Sequence, residues 1–157
     1  MLEPTQTISR QTLSDFVSGL GSTASAPGSG AAGAVALALA AACAAKAFTI
    51  SHRHNNIAEL ARAADRARTV SVIALEGAQR DSDDFHAWLR AHTASAVKAL
   101  EQNARILFSL SSELEQLIGE HRDQVIHSLE ADILSALDLI QAFTAIETRN
   151  TRELNAH

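Results

Sequence analysis

Three aspartates stand within four positions, Asp81, Asp83 and Asp84. A buried member of such a cluster can exchange protons near neutral pH, because burial disfavours the charged carboxylate and raises its pKa. A second candidate is a turn, Ser25-Ala26-Pro27-Gly28-Ser29-Gly30, which runs directly into an alanine-rich stretch from Ala31 to Ala47. Pro27 fixes its own φ and pushes Ala26 into an extended conformation, while the glycines reach backbone angles closed to other residues. A helix opened by such small residues leaves N–H groups facing a space that a flat or anionic ligand can approach closely. A third candidate is the cationic cluster His52-Arg53-His54, since arginine pairs bidentately with carboxylates. Each has a plainer use as well: acidic residues cap helix starts, small-residue turns precede packed helices, and polar runs link helices.

Seven histidines raise the question of a metal. A carboxylate-bridged di-metal bundle requires Glu-x-x-His on two helices. The nearest match is Asp83-x-x-His86, whereas His121 and His127 are preceded at that spacing by Ile118 and Gln124. No metal is expected. The lone Cys43 lies in the apolar alanine stretch and reads as a small core filler.

The elements that must position these groups are helical. The chain of 157 residues contains no tyrosine, five phenylalanines and one tryptophan; it has no proline after Pro27 and no clean period-two alternation. A single all-α domain over residues 1–157 is expected, a bundle of five to six helices around a central alanine-rich one. The net charge of −5, from 13 Lys and Arg against 18 Asp and Glu, offers no basic footprint for nucleic acid. The alanine stretch starts too far from Met1 for a signal peptide, Glu3 and Asp15 precede it, and Lys46 interrupts it. It reads as a core helix of a soluble, cytoplasmic protein with no membrane partner.

The pattern predicts helices over about 7–20, 30–50 and 57–77, with a loop at 21–30 and a polar break at 51–56. The Asp81–Asp84 cluster is expected to cap a further helical stretch or pair running to about Leu117, with Gly119 as its stop. A last helix over about 122–147 carries the stripe Val125, Leu129, Ile133, Ala136, Ile140 and Phe143, and the tail 148–157 is expected to fray.

Three segments, in this order and spacing, resemble the cyclodeaminase/cyclohydrolase family of folate enzymes. The first is Leu13-Ser-Asp-Phe16 followed by Pro27-Gly28-Ser29-Gly30-Ala31 and the alanine helix; the second is Asp81-Ser82-Asp83-Asp84-Phe85; the third is Arg122-Asp123-Gln124-Val125. The chain departs from the family pattern at Ser29, where a glycine is usual, and at Ala31, where a serine is usual. It also lacks a Leu-Pro-Lys segment after the second motif, and the asparagine expected in the last helix falls near Gln141.

The resemblance implies a homodimeric enzyme that acts on formimino- or methenyltetrahydrofolate and needs no metal, the tetrahydrofolate derivative being its substrate. It implies Asp81 as the proton-transfer residue and the Pro27, Gly28, Ser29 and Gly30 turn as a slot for the pterin. Ser51 stands nearest to a family threonine, Asp123 would orient the pterin amino groups, and Arg53 would hold the glutamate tail. The alternative is a non-catalytic helical dimer that kept the bundle and binds a pterin-like ligand or a protein partner.

Overall fold

A computed structural model describes residues 6–154, and no strand occurs among them. Its α-helices are α1 (Leu13–Leu20), α2 (Ser29–Asn55), α3 (Ala58–Ala91), α4 (Ala94–His121) and α5 (Glu130–Leu154), with short 3-10 turns at Ile8–Arg10, Arg122–Gln124 and His127–Leu129. The expected all-α bundle with a central alanine-rich helix is the observed one.

Helix α2 is the axis. Ala31, Ala34, Ala40, Ala41, Ala44 and Ala47 are completely buried, and their small side chains let α3 and α5 pack along it on two sides. Helix α4 closes the bundle against α3 and α5. Leu37 and Phe48 from α2, Leu60 and Val70 from α3, Leu107 and Leu114 from α4, and Ile133 and Phe143 from α5 fill the shared core. By length and composition α2 could also cross a membrane, with a mean hydropathy of 1.8 over its most apolar window, but more than half of that window is buried within the bundle.

Helix ends follow side-chain chemistry. Thr12 and Thr93 accept from the backbone N–H groups of Asp15 and Ala96 and so cap α1 and α4. Asn56 and His92 adopt left-handed φ of 54° and 48° to end α2 and α3. Glu130 and Asp132 place negative charge in the first turn of α5.

Five sequence expectations about boundaries are corrected. Asp81–Asp84 does not cap a helix: α3 runs straight through it from Ala58 to Ala91. Gly77 does not end a helix but lies where α4 presses on α3; a Cβ there would stand 2.7 Å from Leu107 Cδ2. Gly119 lies inside α4, and α5 begins at Glu130 rather than Arg122. Residues 148–154 of the expected frayed tail are helical, and 155–157 lie outside the described residues.

Candidate active site

The first turn of α2 and the middle of α3 meet at one point. Gly28 precedes α2 in an extended conformation, and its carbonyl accepts from Ala32 N–H at 3.0 Å. The next free donor, Ala31 N–H, is taken by the Asp81 carboxylate arriving from α3. Gly30 makes this approach possible: a Cβ on it would fall among the carboxylate atoms, 2.5 Å from Cγ. The positive end of the α2 dipole and a backbone N–H therefore face a side chain of the same protein. Burial nevertheless dominates. It drives the Asp81 pKa up, the Ala31 N–H partly counters it, nearby Asp84 adds to it, and the result is about 6.

A second carboxylate comes from α5. Glu147 is 6% exposed, and its Oε2 has no hydrogen-bond partner. Burial raises its pKa, the Asp81 charge raises it further, a hydrogen bond from Asn150 counteracts both, and it lies at about 7. Asn150 Oδ1 in turn accepts from Ser29 Oγ at 2.8 Å, so its amide links the α2 turn to Glu147. The two acids interact and titrate as a pair, with Asp81 the stronger.

Around them lies a cleft of about 320 Å³. Phe85 and Trp88, one and two turns along α3 from Asp81, form its aromatic wall with ring centroids 5.7 Å apart and planes 29° from parallel. Leu100 and Ala104 of α4 and Leu154 of α5 supply the rest of its apolar lining. A flat aromatic wall, two acids of staggered pKa and a helix terminus are the parts needed to bind a planar heterocycle and move protons on it.

Residues 12–116, two thirds of the chain, match the family described as formiminotransferase-cyclodeaminase. The chain belongs to the formiminotransferase-cyclodeaminase family. A solved structure of formiminotetrahydrofolate cyclodeaminase from Thermotoga maritima shares its fold, with a TM-score of 0.89 over 95% of this chain and 80% of that one at 19% identity. No curated protein matches the chain. The family match spans the small-residue turn, Asp81, Phe85 and Trp88, but ends before α5 brings in Glu147 and Asn150.

Within this formiminotransferase-cyclodeaminase fold, Asp81 and the Gly28, Ser29 and Gly30 turn share one cleft, as the sequence reading expected of them. Pro27 does not line it. Its ring covers α1 instead, where a Cβ on Gly19 would lie 3.3 Å from Pro27 Cδ. Ser51, Arg53 and Asp123 are not brought to the cleft. Twenty-two residues of α2 at 1.5 Å each put Ser51 roughly 33 Å from Ser29. Ser51 is completely buried there, and its Oγ accepts from Ile126 N–H at 3.0 Å, tying the link before α5 to the end of α2. Arg53 is exposed on the last turn of α2, and Asp123 is exposed in the 3-10 turn three residues before Ile126. The helical axis separates these three residues from Asp81.

The sequence reading missed Glu147 and Asn150. Their signal was register: position 147 continues the stripe Ile140, Phe143 with the spacing of a buried face, which makes a glutamate there a buried one. Gln141, where an asparagine was expected, is exposed, and the asparagine that reaches the cleft is Asn150.

Proposed function

We propose that the chain is a folate-dependent one-carbon enzyme of the cyclodeaminase/cyclohydrolase type, acting on 5-formimino- or 5,10-methenyltetrahydrofolate. The observation that carries this reading is the pair Asp81 and Glu147 in one aromatic-walled cleft, with pKa values of about 6 and about 7. Between those values one carboxylate is a base while the other still holds a proton, which is the arrangement a proton-transfer reaction at a nitrogen-bound carbon requires.

In deamination, N10 of the formiminium substrate attacks the formimino carbon and gives its proton to Asp81. The former imine nitrogen takes the Glu147 proton and leaves as ammonia, and the remaining N5–C–N10 unit is the methenyl cation. In hydrolysis a water replaces N10 as nucleophile: Asp81 takes one of its protons, Glu147 protonates N5 as the N5–C bond breaks, and the ionised Glu147 then takes the remaining hydroxyl proton to leave the 10-formyl group. Phe85 and Trp88 offer the pterin a face to stack on. Assembly as a homodimer belongs to the same reading; Leu13 and Val17, 74% and 57% exposed on one face of α1, supply unpartnered apolar surface for it.

One observation favours the rival, a non-catalytic binder of a pterin-like ligand or a protein: Arg53 and Asp123 lie outside the cleft. The test is spectrophotometric. Purified protein should accelerate loss of the near-ultraviolet absorbance of 5,10-methenyltetrahydrofolate or turn over 5-formiminotetrahydrofolate, and Asp81→Asn should lower kcat by about 10² or more. No turnover of either substrate would leave the non-catalytic reading.

A further inference from the structure

Glu147 lies on α5, more than nine-tenths buried, and its Oε2 has no hydrogen-bond partner. The support it does have comes from Asn150, nearly one turn further along α5, whose amide bonds to the carboxylate and works against burial. An asparagine amide has two edges. Nδ2 donates and suits a carboxylate, whereas Oδ1 only accepts and suits a protonated acid. The edge that faces Glu147 is decided by the other partner of Asn150. The hydroxyl of Ser29, the first residue of α2, donates to Asn150 Oδ1 at 2.8 Å. With Oδ1 held from α2, Nδ2 is the edge left for Glu147. Ser29 stands where the family pattern has glycine, so this hydroxyl is the chain's own addition.

We propose that Ser29 and Asn150 are positioning residues for Glu147: the Ser29 hydroxyl orients the Asn150 amide, the amide donates to one carboxylate oxygen, and the acid's proton is thereby confined to Oε2. A carboxyl oxygen that accepts an N–H cannot carry a proton facing that same donor, so the neutral acid places its proton on the other oxygen. The inference rests on the proposed function only for the use of that proton, which is delivery to the nitrogen whose bond to carbon breaks. Such a delivery needs the proton on one fixed atom, and turning it away costs rate rather than binding. The other titratable or charged groups around the cleft are Asp81, backed by Asp84, on α3; Glu101, paired with Arg105 at 3.8 Å, on α4; Glu153 on α5; and His92 at the end of α3, whose ring meets Trp88 edge-on at 5.0 Å. The α2 lining brings no charge. Replacing Ser29 removes none of these groups, so a change confined to Glu147 reads the relay.

Carboxyl-13C NMR on protein labelled at glutamate and aspartate gives that reading without turnover. The resonance lost in Glu147→Gln identifies Glu147, and the one lost in Asp81→Asn identifies Asp81. Ser29→Ala deletes only an exposed hydroxyl and lets the amide turn Oδ1 towards the protonated acid. The Glu147 midpoint should then rise by about one pH unit. Asp81, whose own bond comes from Ala31 N–H, should move by less than half as much, through its coupling to Glu147 alone. Ser29→Thr, which returns a hydroxyl, should restore both midpoints, and Asn150→Leu, which removes both amide edges, should raise that of Glu147 at least as far.

In the turnover assay Ser29→Ala should lower kcat by about tenfold with KM within about twofold, and Ser29→Thr should recover the rate. An unmoved Glu147 midpoint in Ser29→Ala, an equal movement of Asp81, or no rescue by Ser29→Thr would overturn the proposal. A shifted and rescued midpoint in a protein that turns over neither folate would uphold the relay and discard the folate reading. Folate turnover with an unmoved midpoint would do the reverse.

Discussion

Gly30→Ala tests whether the seat of Asp81 on the α2 terminus places the catalytic proton. The backbone accepts alanine, since no glycine among the described residues has a positive φ. The added Cβ would nevertheless lie 2.5 Å from Asp81 Cγ and 2.6 Å from Oδ2, so the carboxylate must move away. Three stability effects then compete. Losing the charge-assisted bond from Ala31 N–H costs about 1.5–3 kcal/mol. Alanine in place of glycine in a helix returns up to about 1 kcal/mol. A carboxylate displaced towards water also regains solvation, and burial is the largest of the causes that raise its pKa. The sum is a stability change within about 1 kcal/mol of zero.

Activity should not be spared in the same way. Displacing the acid–base group by about 1 Å costs roughly 10² in rate, or about 2.7 kcal/mol of barrier. The acid limb of the pH–rate profile, set by Asp81 near pH 6, should move down as burial is relieved. Urea denaturation and methenyltetrahydrofolate turnover on one preparation give both numbers. Wild-type turnover with an unmoved acid limb would show that the proton is not placed by this contact. A loss of several kcal/mol in stability would show that the weighing of the three effects is wrong.

The same carboxylates should oppose stability. Their folded pKa values are raised, from 3.8 to about 6 for Asp81 and from 4.5 to about 7 for Glu147, so each stabilises least when ionised. Asp81→Asn and Glu147→Gln should therefore each gain about 1–3 kcal/mol at pH 8 and nothing at pH 4, the gain developing as pH rises through the folded values. Denaturant titrations at both pH values decide it, and a gain larger at pH 4 would reverse the sign. Because the pair is coupled, the double variant should gain less than the sum. Ser51→Ala should cost about 1–2 kcal/mol by orphaning Ile126 N–H, and it should leave KM unchanged within twofold, as should Arg53→Ala and Asp123→Ala. A tenfold rise in KM for any of the three would return it to the binding site.

The bundle was legible because alanine has few uses. A long run of small residues without alternation reads as a helix on which neighbours pack closely, and α2 is that helix, with α3 and α5 along two of its sides. Boundaries were less legible. Asp81–Asp84 has the composition of a cap, and only the face of Asp81 towards α2 makes a mid-helix carboxylate useful. Asp81 and the glycine turn were readable as chemistry because their types are poorly explained by packing alone. Glu147 and Asn150 were hidden by the polar residues around them, which resemble a solvated tail. Ser51, Arg53 and Asp123 were assigned to the site by resemblance to the family, and a resemblance of segments does not say which end of a 27-residue helix a residue occupies.

In the proposed reaction, the direction of proton flow depends on a difference between two groups of the same kind. Asp81 and Glu147 are both buried, and burial alone would raise both. Their order comes from their partners. Asp81 holds an α2 N–H and the positive end of that helix, which favour its charged form. Glu147 has only the Asn150 amide, and it sits in the field of the Asp81 charge, which favours its neutral form. Asp81 can reach the helix terminus only because residue 30 has no side chain, and α5 packs close to α2 at Gly33, where a Cβ would lie 3.2 Å from Cγ2 of Ile146, the neighbour of Glu147. The residues that look purely structural in the sequence thus decide which carboxylate is the base and which is the acid. Bulk added at position 30 acts on that order by pushing Asp81 off the helix terminus while leaving both acids chemically unchanged, and for that reason its effect should appear in the pH profile before it appears in the stability.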